Sequence, residues 1–184
     1  MTPQEQIQRV KDLIAYINDE LPIFAKQVLA NDLAALVTNR VVQKGENFRG
    51  GSFSRYSSKT VAAWRFWGQS RTQAAEKKVR SLSRAKGALS YKEFRELNNL
   101  NSTKKNFEFT GEMWRKFGIV KEKKTSTGFR ISLGGTTPGA QNKIDENSER
   151  EGISIIEANE NEKSKVEDTT LNWVEQQAKR ILDA

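Results

Sequence analysis

The sequence contains neither cysteine nor histidine. Without thiols there are no disulfides and no thiolate ligands. Without imidazole as well, Cys/His zinc sites, Ser-His-Asp triads and Cys-His dyads are excluded together. Aspartate is missing from residues 40–130, and proline occurs only three times. The longest apolar stretches run from Leu33 to Val37 and, with a serine inside, from Ile153 to Ile156. Neither approaches the roughly 18 residues of a membrane span, so no membrane partner is expected. The opening residues, Met1-Thr2-Pro3-Gln4-Glu5, lack the basic-then-apolar pattern of a signal peptide. A protein made and kept in a cytoplasm is therefore expected. Any catalysis would have to use carboxylates, Lys, Ser/Thr or Tyr, and no cofactor is implied.

What is present is a chain of 184 residues whose net charge of +8 is unevenly spread. Residues 1–39 carry three basic and five acidic side chains, a net of −2. Residues 40–130 carry 22 basic and seven acidic, a net of +15. Residues 131–184 carry six basic and eleven acidic, a net of −5. A basic middle between acidic ends fits contact with nucleic acid. It fits equally a contact between the basic face of one subunit and an acidic face of its neighbour, or a solvated surface.

Local patterns predict an α+β fold with helical ends around a small antiparallel sheet. Thr2, Pro3 and Glu5 form a helix start of the capping-box kind. Ile7, Val10, Leu13, Ile14 and Ile17 follow helical spacing, and Pro22 kinks or restarts a helix carrying Phe24, Val28, Leu29, Leu33, Leu36 and Val37. The stripe is read as core packing. Gly45, Gly50 and Gly51, with five Ser or Asn, mark residues 43–58 as a loop. Phe48, Phe53 and Tyr56 would dock it. No Walker spacing accompanies the glycines, which argues against phosphate cradling.

Residues 59–104 read as helix-prone and basic. Trp64, Arg65 and Trp67 could stack bases, but core or interface anchoring is the preferred reading, as it is for Tyr56, Met113 and Trp114. Asn106–Phe109 alternates as a strand, and Thr110 would cap a turn bearing Met113, Trp114 and Phe117. A hairpin turns at Thr125-Ser126-Thr127-Gly128, with Lys121, Lys123 and Lys124 on its exposed arm. Ala140–Glu151 suggests a helix and Gly152–Ile156 an extended piece. Asn159 or Asn161 would cap a last helix through Trp173 and Leu182. One domain is expected, with an insertion at residues 69–104.

The order of several segments resembles a known family. These are Tyr56-Ser57-Ser58-Lys59 after a lysine–glycine loop, Phe109-Thr110-Gly111-Glu112-Met113-Trp114, the hairpin, and Arg150-Glu151-Gly152-Ile153-Ser154-Ile155-Ile156 before a closing helix. The succession is similar to the virion-morphogenesis, or tail-completion, proteins of tailed bacteriophages. The resemblance covers most of the chain, with the stretch from Gln69 to Lys104 longer than the family spacing. It implies a non-enzymatic structural protein of the virion neck, assembled in the host cytoplasm. Such a protein forms a homo-oligomeric ring between the portal-side connector and the tail, with neck, portal-side and tail proteins as partners. Around a DNA channel, sequence-independent phosphate contact would serve best. Arg49, Arg55, Lys121, Lys123 and Lys124 are the candidates for channel or partner contact.

Two other classes compete. A free-standing nucleic-acid-binding protein would use the basic middle with Trp64, Trp67, Arg65 and Arg71, though no helix-turn-helix, zinc-finger, RNP or KH signature is present. A carboxylate-dependent nuclease would need clustered acids. The candidates are Glu93, Glu96, Glu108, Glu112 and Glu122; Glu93 and Glu96 share a helix face, a pairing common on solvated helices, and Glu112 fits the first turn of a helix, where its charge suits the dipole.

Overall fold

The computed structural model describes residues 2–107, 111–125 and 128–183. The protein is mixed α and β, built around one unbroken helix that runs from Pro3 to Lys44. Helix α1 (Pro3–Phe24) starts on the expected capping box, in which Thr2 Oγ1 accepts from the Glu5 amide and Glu5 returns a carboxylate to the Thr2 amide. Pro22 neither ends nor splits the helix. A π turn (Ala25–Leu29) follows it at once and leads into α2 (Ala30–Asn39). Such a widened turn is a usual place for a helix to absorb a local distortion. A second π turn (Arg40–Lys44) closes the helix on Gly45, whose φ of 68° suits glycine.

Among the described residues four strands follow. β1 (Thr60–Ala62) pairs antiparallel with β2 (Ala88–Ser90), and the hairpin β3 (Phe117–Thr125)–β4 (Gly128–Gly135) forms a separate sheet. Between them stand α3 (Gln73–Lys86), α4 (Tyr91–Leu97) and the short α5 (Glu112–Arg115). Val120 is the extra residue of a bulge, since Ile119 faces Leu133 and Lys121 faces Ser132. Two further helices, α6 (Pro138–Glu151) and α7 (Glu160–Leu182), complete the chain.

Several expectations of local structure need correction. Residues 59–62 are not helical: Thr60 and Val61 enter β1, a strand too short to show a period and held only by a partner 28 residues away. Asn106 and Phe107 are not a strand. Asn106 is buried as a hydrogen-bonding hub, and Phe107 has a φ of 53°. Gly152–Ile156 is a turn and bend, not an extended strand. Thr110, expected as a cap, and Ser126 and Thr127, expected in the hairpin turn, lie outside the described residues, as do Glu108 and Phe109.

Two hydrophobic clusters organise these elements. The first joins Val37 and Val41 of the long helix to Phe53, Met113, Trp114, Ile144 and Ile155. The second lies wholly within residues 60–97 and gathers Ala63, Phe66, Val79, Leu89 and Phe94. The basic middle of the chain thus carries a small core of its own. At the far end, α1 and α7 pack antiparallel as a two-helix arm. Trp173 stacks on Phe24 at 4.8 Å, and Arg180 lies over the Tyr16 ring at 4.8 Å. No residue of α1 is buried, and Ile7, Val10 and Ile14, expected as core packing, are 57%, 47% and 54% exposed, since the helix is covered here mainly by α7.

Candidate interaction surfaces

The two clusters meet at a buried polar node. Tyr56 leaves the 45–59 loop and donates to Asn106 Oδ1 at 3.1 Å, while the Asn106 amide donates to Tyr56 Oη at 3.2 Å. Arg95, 1% exposed, lays its guanidinium 4.1 Å from the Tyr56 ring centroid and donates to Asn106 Oδ1 and to the Asn101 carbonyl. Trp114 Nε1 completes the node on the Asn106 carbonyl. Burial pushes the Tyr56 phenol above its ordinary value, against the opposing pull of Arg95. Tyr56, Met113 and Trp114 are therefore interior anchors.

Beside the node lies a cleft of about 410 Å³ lined by Arg95, Lys105, Lys143 and Arg150 among others. Its cations already have partners. Lys105 pairs with Glu151, Lys143 with Glu112 at 3.2 Å, and Arg150 with Glu146 at 3.7 Å. Glu151 also accepts from the Ser54 amide and hydroxyl. Burial opposes its charge, but the bonds from Lys105 and Ser54 outweigh this and hold the carboxyl below its ordinary value. The set is a polar clamp between the loop and α6.

Four of the described carboxylates of the basic middle have structural partners. Glu93 closes a capping box on Ser90, and the bonds from the Ser90 amide and hydroxyl hold its carboxyl below the ordinary value. Glu96 accepts from Ser102. Glu122 pairs with Lys26 at 3.0 Å, pinning β3 to the long helix. Glu112 sits in the first turn of α5 and pairs with Lys143. Among the described residues no group of three or more acids is placed to hold a metal ion. No helix among them is long and apolar enough to cross a membrane.

The candidate contact residues are all exposed but do not share one surface. Arg49 and Arg55 lie on the loop that follows the end of the long helix. Lys123 and Lys124 line a groove with Asp19, part-way along α1, and Lys121 is exposed on the same strand. From Asp19 to Lys44 the helix alone rises roughly 37 Å at about 1.5 Å per residue.

Trp64 and Trp67 are surface residues, 61% and 46% exposed, which removes the core half of the reading given to them. The cause is a 3₁₀ turn over Ala63–Phe66. Side chains three apart eclipse in such a turn, so Ala63 and Phe66 both enter the core while Trp64 and Trp67 both face out. Arg65 lies over Trp64 at 5.8 Å and Arg80 over Trp67 at 5.5 Å. On α3, Ala75 and Val79 face inward, leaving Lys77, Lys78, Arg80 and Arg84 exposed. Residues 59–105 hold twelve basic and three acidic side chains, a net of +9.

The two-helix arm has the opposite character. Leu171 of α7 is 61% exposed. Glu167, Asp168 and Glu175 stand four and three residues before it and four after, the spacing that places them beside it on one helix face. All three are exposed. No family model, curated protein or solved structure matches the chain.

Proposed function

We propose that the chain is a structural subunit that assembles into a ring, of the kind found in the neck of tailed bacteriophages. There it would join the portal-side connector to the tail around the DNA channel. The observation that carries this reading is the segregation of charge in space as well as in sequence. A folded lobe of net +9 stands apart from a two-helix arm, and α1 and α7 carry nine acidic and six basic side chains. Opposed faces on one subunit suit head-to-tail contact, which closes into a ring when the rotation permits. Glu76, Glu93, Glu112 and Glu122 of the basic middle are used in a cap and ion pairs, which fits a structural role.

A second reading, a free-standing nucleic-acid-binding protein, is favoured by one feature. Two exposed tryptophans beside a helix of Lys and Arg form a surface on which bases could stack. The test is the solution mass of the purified protein, with and without duplex DNA, at low and physiological salt. A ring whose mass ignores DNA at physiological salt supports the neck subunit. A monomer that binds DNA tightly and releases it steeply with salt supports the second reading.

A further inference from the structure

The ring reading leaves open which surfaces meet, and two exposed patches are complementary in both chemistry and charge. One is the aromatic pair Trp64 and Trp67, with Arg65 and Arg80 over the rings and exposed Arg71 four residues after Trp67 in the chain. The other is Leu171, with Glu167, Asp168 and Glu175 on its helix face. We infer that the occupant of the Trp64–Trp67 patch is a second copy of this chain, bound through the Leu171 face of its arm.

Each patch has an apolar centre and a charged rim, the usual anatomy of a specific protein contact, in which large aromatics act as anchors. Neither patch can pair with its own copy, because arginine would oppose arginine and carboxylate would oppose carboxylate. The contact is therefore heterologous, and every subunit offers one donor and one acceptor face. Glu167, Asp168 and Glu175 sit beside Leu171 as the Arg residues sit beside the tryptophans, so docking brings opposite charges around a dry centre. Arg65 lies over the Trp64 ring and is placed to meet the carboxylates without leaving it, while Arg80 lies over Trp67 and is already paired with Glu76 at 2.8 Å.

This inference rests on the proposal that the chain assembles, and the experiment separates the two. Two charge-reversed variants are prepared: Arg65→Glu with Arg71→Glu and Arg80→Glu, and Glu167→Lys with Asp168→Lys and Glu175→Lys. All six positions are solvent-exposed, and a melting curve for each variant checks that it folds. Alone, each variant should run as a monomer at concentrations where the wild type is assembled. Mixed in equal amounts, they should assemble again, because the reversed Trp face of one variant then meets the reversed arm of the other, and the two unreversed faces meet as in the wild type. Cross-linking provides a second readout, since the chain has no cysteine of its own. Gln69→Cys and Asn172→Cys variants, mixed and treated with a short bismaleimide, should give a dimer that neither gives alone. Assembly of the wild type with both reversed variants unaffected, no recovery on mixing, or cross-linking of one variant to itself would overturn the interface and leave the ring standing. A wild type that stays monomeric at every concentration would overturn both.

Discussion

Arg40 and Glu162 form a buried ion pair with Nε 2.8 Å from Oε1, although 122 residues separate them. Both side chains are almost fully buried, and each is held by further hydrogen bonds. Arg40 also donates to the carbonyls of Glu46 and Glu157, and the other oxygen of Glu162 accepts from the Asn159 amide. One guanidinium thus ties together the end of the long helix, the loop after it and the start of α7. Removing one partner of such a pair leaves an uncompensated buried charge. Arg40→Ala should cost about 3–5 kcal/mol in urea denaturation, a large share of a typical domain's stability of roughly 5–15 kcal/mol. A loss below about 1 kcal/mol would show that the pair is dispensable.

Trp114 packs among Val37, Val41, Met113 and Ile144 and bonds the Asn106 carbonyl. Trp114→Ala should destabilise the protein by about 3–5 kcal/mol, seen as a lower melting temperature. An unchanged melting temperature would remove Trp114 from the core.

Gly135 is required by close approach. A Cβ at this position would run into the amide nitrogen of Gln141 and stand 2.6 Å from the Ala140 carbonyl carbon, both backbone atoms of α6. Gly135→Ala must push β4 away from α6, at a cost of about 1–3 kcal/mol or more. Gly139→Ala, where a Cβ would meet nothing within 4 Å, is the control and should change stability far less.

The pH dependence has two limbs. Glu76, Glu93 and Glu151 have carboxyls held below their ordinary value. The stabilisation they give is present above the unfolded carboxylate range and is lost as pH falls through their folded values. Tyr56 has the opposite sign: its phenol is raised, so its contribution is intact below the unfolded tyrosine value of about 10 and fades as pH rises through the folded one. Urea midpoints measured from pH 2 to 11 should fall at both ends. Tyr56→Phe should flatten the alkaline limb, and persistence of that limb would assign it to other groups.

Arg49 and Arg55 are exposed on the loop, so reversing both to Glu should leave the melting temperature nearly unchanged. Under the proposed function the same change should lower particle yield or genome retention. Unaltered particles would remove the loop from that role.

Several features could be read from the sequence because they depend on neighbours along the chain. The Thr2–Glu5 cap, the helix through Val37, the hairpin arm with its exposed lysines, and the cap at Asn159 all follow from spacing within about one helical turn or one strand. The segregation of charge was equally plain, since it needs only counting. Tertiary structure decided the rest. Whether Pro22 would end a helix depended on the π turn behind it. Whether Trp64 and Trp67 were inside or outside depended on a 3₁₀ turn of four residues, too short to leave a period. Arg40 and Arg95 draw no notice as sequence, and Asn106 reads only as part of a strand, because a polar residue shows itself as interior only when partners from distant segments satisfy it. Local spacing fixes which face of an element is apolar, but what comes to cover that face is settled by packing between segments far apart in the chain.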